Sequence, residues 1–175
     1  MSWPRITPAK AQGAGSYPKD TLTVSVCPLP PGSRLNYGGA SGGAMRNIID
    51  TGPLVYRFDR AESSVGRWSR KLFRIQSPPF FTCEAVLAEA AYMTKPELIA
   101  RMVKDGDLVV DFSLQEEIEH VHRLLAHYPQ MDLADACLVR MSELTPDCQI
   151  FTIDRQDFSV YRRFRTKSVP AVFPD

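Results

Sequence analysis

Four acidic residues follow the strands, at a strand end or in the helix after it. Asp50 closes the apolar run Ile48-Ile49, and Asp154 closes Phe151-Thr152-Ile153. Glu89 lies two turns into the helical pattern that follows Phe80-Phe81-Thr82, and Asp135 falls in the first turn of the helix after Met131. Carboxylates converging on one rim repel each other, and a cation relieves that repulsion. Oxygen-only donors suit Mg²⁺ or Mn²⁺. The chemistry served by such a set is phosphodiester hydrolysis, in which a bound metal lowers the pKa of a water and stabilises the attacking and leaving oxygens. The chain offers no Ser-His-Asp or Cys-His arrangement in its place.

Each acid also has an ordinary reading. Asp50 before Thr51-Gly52-Pro53 has the form of a helix cap. Glu84 and Glu89 are separated by roughly 140° around a helix, so only one of them can face the site. Asp132 sits at an N-cap with Asp135 three residues on, which assigns Asp132 to the cap. Asp154 and Asp157 repeat that spacing, and one of them can be a plain turn residue. Thr51, Asp132 and Asp157 are therefore secondary candidates beside the four principal acids.

The elements that must position these residues alternate. Strands are expected at 46–50, 80–82, 108–112 and 149–153. Helices are expected at 53–59, 62–75, 83–93, from the box Thr94-Lys95-Pro96-Glu97 to Gly106, from the box Ser113-Leu114-Gln115-Glu116 onward, and at 132–144. The second helix should show Val65, Trp68, Leu72 and Ile75 to the core, and the fifth Leu114, Ile118, Val121 and Leu125. Strands separated by helices imply an α/β/α sandwich with a mainly parallel sheet. In such folds the site lies beyond the carboxyl ends of the strands, at a topological switch point.

Residues 1–44 hold seven of the ten glycines and six of the fourteen prolines. Too few apolar groups remain there to offset ordering entropy, so a disordered extension is expected, with a short strand conceivable at 22–26. The Gly-Gly pair just ahead of Met45 has the look of a ribosome-binding sequence read through as protein, which makes Met45 a candidate start and 45–175 the domain. The chain carries 21 basic and 20 acidic residues; Arg5, Lys10, Lys19, Arg34 and Asp20 precede Met45, leaving 17 basic against 19 acidic. Any nucleic acid must then be met by a local patch rather than an overall field. The four cysteines form no CxxC pair, and Cys83 and Cys137 fall inside apolar helical patterns, which fits a reducing compartment. No apolar run is long enough to span a bilayer and no signal peptide is evident, so a cytoplasmic location is expected.

The segment Ile48-Ile49-Asp50-Thr51-Gly52-Pro53-Leu54-Val55 resembles the opening of a PIN domain, in which the first metal-binding Asp ends the first strand. The run 81–90 resembles the family's second motif, with its acid on Glu89. Met131-Asp132-Leu133-Ala134-Asp135-Ala136 resembles the third, with Asp135 as the key acid, and 151–158 is similar to the fourth, with Asp154 in the metal position. The order and spacing hold from Met45 to about residue 165. Within the family the chain looks most like VapC-type toxins of toxin–antitoxin pairs. That resemblance implies a Rossmann-like three-layer sandwich and a metal-dependent endoribonuclease using Mg²⁺ or Mn²⁺. It also implies cleavage of structured RNA such as tRNA or rRNA, a homodimer, and inhibition by a small VapB-like antitoxin. The chain departs from many relatives at 63–68, where they carry histidines and it does not.

Three rivals come from other classes. Asp50-Thr51-Gly52 is also the signature triplet of aspartic proteases, which need an all-β fold and a second Asp from a twin lobe. A non-catalytic PIN-like RNA-binding module would lack one or more of the acids. A receiver-like domain would want adjacent acids after its first strand, which are missing. Candidate RNA contacts are Arg67 and Arg70 on the second helix, beside Lys71 and Arg74, together with Arg155, Arg162 and Arg163 near the basic-aromatic run 161–167. That run equally suits an edge strand with protective charges. His120, His122 and His127 share one helix far in sequence from the acids, and a surface role is expected for them.

Overall fold

The β-branched and aromatic runs at Ile48-Ile49, Phe80 and Ile150-Phe151 are almost wholly buried, which requires a sheet covered on both faces. A computed structural model describes residues 45–175 apart from Arg60 and Glu62. The expectations for 1–44, including the strand at 22–26, lie outside the described residues, and the candidate start at Met45 rests on sequence alone.

The chain runs β1 (Arg46–Ile49), α1 (Thr51–Arg57), α2 (Ser64–Ile75), β2 (Phe80–Thr82), α3 (Glu84–Met93), α4 (Pro96–Lys104), β3 (Leu108–Val110), α5 (Leu114–His127) and α6 (Leu133–Leu144). It continues through β4 (Cys148–Phe151), α7 (Arg155–Val160), β5 (Arg162–Arg163), β6 (Lys167–Ser168) and β7 (Ala171–Val172). Five strands form one sheet in the order β3-β2-β1-β4-β7, and every pairing in it is parallel. Helices surround the sheet, giving the expected three-layer sandwich. β5 and β6 form a separate antiparallel hairpin.

From β1 the chain moves outward to β2 and β3, then returns to place β4 on the other side of β1. The gap between the carboxyl ends of β1 and β4 is therefore the switch point. Ile49 is in register with Phe151, so Asp50 and Thr152 emerge side by side from the middle of the sheet. α6 is apolar on most of its circumference; Ala134, Ala136, Cys137, Leu138, Val139 and Met141 are all buried. A helix of that kind is enclosed by its neighbours, and it holds Asp135 against the strand ends. Gly106 adopts φ +81° between α4 and β3, a left-handed turn that glycine makes without a Cβ clash. Among the described residues, no helix is long and apolar enough to cross a membrane.

Several local expectations need correction. Thr94 does not cap α4: its hydroxyl donates to the Ala90 carbonyl at 2.6 Å and closes α3, while Lys95 stands at the N-cap. The box at Ser113 is half formed, with the Ser113 hydroxyl accepting from the Glu116 N–H at 3.3 Å. Ile75 and Ile118, placed on core faces by periodicity, are 64% and 45% exposed. α1 begins at Thr51, two residues earlier than expected, because Asp50 caps it.

Candidate active site

Asp50 sits at the N-terminus of α1 and at the end of β1, only 8% exposed. Its Oδ1 accepts from the Thr51 N–H at 2.6 Å and its Oδ2 accepts from the Thr152 hydroxyl at 2.7 Å. The cap reading is thus correct for Asp50, and it does not exclude a further role, because a carboxylate has lone pairs beyond these two bonds. The Thr152 oxygen in turn accepts from the Asp154 N–H at 3.0 Å, so one hydroxyl ties the ends of β1 and β4 together. Thr51 donates its hydroxyl to Oε2 of Glu89 at 2.9 Å, joining the first and second candidate acids. The Thr82 hydroxyl donates to the Ile49 carbonyl at 3.0 Å, which fixes β2 against β1.

Asp132 caps α6, its Oδ1 accepting from the Asp135 N–H at 2.8 Å. That orientation leaves the Asp135 carboxylate to accept from the Tyr161 hydroxyl at 3.0 Å. Asp154 caps α7, accepting from the Asp157 N–H at 2.9 Å.

Burial raises the Asp50 carboxyl to about 6; the bonds from Thr152 and Thr51 oppose the rise, and the charges of Asp132 and Glu89 add to it. Asp135 is raised further, to about 8, first by burial and then by the charges of Asp132, Asp50 and Asp154. Glu89 moves up through burial, held back by Thr51 and pushed by Asp132, and Asp157 moves up through burial and Asp154. Glu89 thus acts on Asp50, and Asp50 and Asp154 act on Asp135. Asp132, expected as a cap and a secondary candidate, caps α6 and acts on all the shifted acids.

Among the described residues, no three His, Cys, Asp or Glu side chains stand together as a ready set of metal ligands. Direct coordination by three side chains is therefore not built in. The donor chemistry nevertheless suits a hard divalent ion: the acids are oxygen donors, and those most buried are held above their ordinary pKa by missing hydration and like charge. Mg²⁺ retains several waters and needs only one or two carboxylates directly. On that ground the residues fit the ion.

Neither Thr152 nor Tyr161 stood out in the sequence as a partner of the acids. A threonine directly after a strand's apolar pair and a tyrosine within a basic run carry no motif, and only the fold brings them to the acids. The candidate RNA contacts divide. Arg67 and Arg70 line a cavity of about 640 Å³ with Arg57, Lys71, Arg74 and Trp68. Arg155 instead donates to the Pro174 carbonyl at 2.9 Å and lies over the Phe173 ring. Arg162 Nη1 closes α7 on the Ser159, Val160 and Tyr161 carbonyls, each at 2.8 Å. Arg163 Nη1 holds the Ser142 and Pro146 carbonyls at 3.1 and 3.0 Å. These last three close the fold with the nitrogens named.

No protein-family model matches the chain, and no curated protein matches it.

Proposed function

We propose that the domain from Met45 onward is a metal-dependent endoribonuclease of the PIN kind, with Asp50, Glu89, Asp135 and Asp154 around a Mg²⁺ or Mn²⁺ ion. The observation that carries this reading is the placement of Asp50 and Asp135 at the switch point, buried and raised to about 6 and about 8 by desolvation and mutual repulsion. An unrelieved cluster of that kind costs stability, and a divalent cation removes the cost. Asp50 and Asp135 would hold the ion, Glu89 and Asp154 would hold its waters, and Thr51, Thr152 and Tyr161 would orient the carboxylates. When bound, the ion supplies an acidified water and a positive charge beside the scissile phosphate.

The resemblance to VapC-type toxins extends the proposal to an RNA such as tRNA, rRNA or mRNA as substrate, a small VapB-like antitoxin, a homodimer and a cytoplasmic setting. The protease rival loses its support, since an all-parallel sheet offers no twin β lobe. A PIN-like RNA-binding module without cleavage remains the second reading, favoured by the lack of three ready ligands among the described residues.

The test is incubation of the purified protein with total cellular RNA in Mg²⁺, in Mn²⁺ and in EDTA, alongside Asp135→Asn. Cleavage that needs the metal and vanishes in the variant supports the proposal. Binding of RNA with no cleavage in either metal supports the module instead.

A further inference from the structure

All three histidines of the chain, His120, His122 and His127, line one cavity of about 920 Å³ between α5, α6 and the β5–β6 hairpin. Arg123, Arg140, Arg162 and Arg165 share its wall, as do the rings of Tyr128 and Phe164. Its one acid, Glu143, is engaged twice. Oε2 accepts from Arg140 at 2.8 Å, and Oε1 accepts from the Phe164 N–H at 2.7 Å. Glu117 lies behind Arg140 and His120, at 2.8 and 3.5 Å. Arg123 and Arg165 are exposed, and their guanidinium groups have no hydrogen bond or ion pair among the described residues. The cavity therefore presents uncompensated positive charge in a domain that is slightly acidic overall.

The hairpin adds a stacking surface. Phe164 and Arg165 adopt φ +51° and +67°, a left-handed conformation that costs a non-glycine residue about 1 kcal/mol or more. The Glu143 bond to the Phe164 N–H fixes this turn. It leaves the Phe164 ring 43% exposed, with Arg163 and Lys167 lying over it at 5.8 and 5.7 Å. An exposed ring among cations is what an unstacked base recognises.

The cavity also adjoins the acidic cluster. Tyr128 packs edge-on against Tyr161 at 5.2 Å between centroids, and its oxygen accepts from the Arg162 N–H at 3.2 Å. Tyr161 is the donor to Asp135. The buried Tyr161 thus links the cavity's Tyr128 to Asp135 through the core.

We propose that this cavity seats the single-stranded RNA flanking the bond cut at the acidic cluster, with backbone phosphates on Arg123 and Arg165 and one base stacked on Phe164. The inference rests on the ribonuclease reading for what happens at Asp135, and binding alone tests it. The experiment measures fluorescence anisotropy of a labelled, short single-stranded oligoribonucleotide with full-length protein in EDTA, across a salt series. The proteins are the wild type, Arg123→Gln/Arg165→Gln, Phe164→Ala and Asp135→Asn, each checked for folding by circular dichroism. The double variant is expected to lose roughly tenfold in affinity and to flatten the log–log salt slope by about 1.4, two phosphate contacts on a single strand. Phe164→Ala is expected to lose roughly tenfold at unchanged slope. Asp135→Asn should bind as tightly as the wild type or more so. An unchanged slope in the double variant overturns the proposal, as does wild-type protein that fails to bind at low salt. Equal competition by polyglutamate or inorganic polyphosphate, which have charge and no bases, overturns it too. Failure of the nuclease reading appears separately, as intact binding with no cleavage when Mg²⁺ is restored.

Discussion

The Tyr161 hydroxyl donates to Oδ2 of Asp135 at 3.0 Å from a ring that is wholly buried, packed against Phe158 and Tyr128. A residue at the start of the C-terminal segment thus orients the acid with the highest pKa in the site. The bond favours the ionised carboxylate and so restrains the rise in the Asp135 pKa. Tyr161→Phe keeps the ring and removes the restraint. The Asp135 pKa then rises further, and the acidic limb of Mg²⁺-dependent cleavage moves to higher pH. Stability should fall by only about 1 kcal/mol, the net worth of one hydrogen bond. A pH–rate profile unmoved in the variant, with a lower melting temperature, would assign Tyr161 to packing alone.

Asp50 and Asp135 should respond differently to truncation. Asp50 accepts from both the Thr51 N–H and the Thr152 hydroxyl, and Thr152 also receives the Asp154 N–H. Asp50→Ala removes that hub and costs about 1–3 kcal/mol through unsatisfied buried donors. Asp50→Asn keeps an acceptor and removes the charge. Asp135→Asn relieves repulsion from Asp132, Asp50 and Asp154, so its metal-free melting temperature should equal or exceed that of the wild type. Both Asn variants should lose Mg²⁺-dependent cleavage. Thermal melts in EDTA beside cleavage assays separate the charge effect from the cap effect.

Elements with a strong period were legible in the sequence. β2 matches its expected bounds, β1 and β4 end one and two residues short, and α6 and its Asp132 cap stand where the apolar pattern and the cap residue put them. Periodicity misplaced Ile75 and Ile118 because each stands at the margin of an apolar stripe, where tertiary neighbours decide burial. Thr94 was unreadable for a different reason: its hydroxyl can serve the helix behind it or the one ahead, and local sequence does not choose. The positions of Asp50 and Asp154 beyond β1 and β4 were readable. The supporting hydroxyls of Thr152 and Tyr161 were not, since neither belongs to a local pattern. The histidines were judged remote from the acids by sequence distance, yet the hairpin after α7 folds against α6, and the Tyr128–Tyr161 contact links their cavity to Asp135.

Gly52 permits the approach of α1 to the end of β4. A Cβ built there would lie 2.5 Å from Ile153 Cγ1 and 2.8 Å from Cδ1. Ile153 precedes Asp154 directly, so Gly52→Ala should push Ile153 aside and shift Asp154 with it. The expected stability loss is about 1–3 kcal/mol, typical of overpacking. Mg²⁺ affinity, read by isothermal titration calorimetry, should weaken in parallel. Gly52→Ala/Ile153→Ala removes the clashing side chain and should recover much of that affinity. Loss of affinity that the second substitution fails to restore would place the role of Gly52 elsewhere.

The acid pKa values set the sign of the pH dependence of metal-free stability. Asp50 and Asp135 have ordinary values of 3.8 and folded values of about 6 and about 8. Between the ordinary and folded values the native state holds more protons than the unfolded chain, so stability falls as pH rises. Both residues contribute to that decline from about pH 4 to about pH 6, and Asp135 alone of the two from there to about pH 8, above which these two groups add no further slope. Glu89 and Asp157, also raised, act with the same sign. In EDTA the melting temperature should therefore decrease across this range, each kcal/mol corresponding to roughly 4 °C for a domain of this size. A divalent ion binds the ionised carboxylates and opposes the decline, so saturating Mg²⁺ should raise the melting temperature most at the alkaline end. Asp135→Asn should flatten the EDTA curve between about pH 6 and about pH 8, the interval left to Asp135 once Asp50 has ionised. A melting temperature that climbs with pH in EDTA, or a Mg²⁺ increment that does not grow with pH, would mean that these carboxylates are not under mutual strain and have no cation to relieve it.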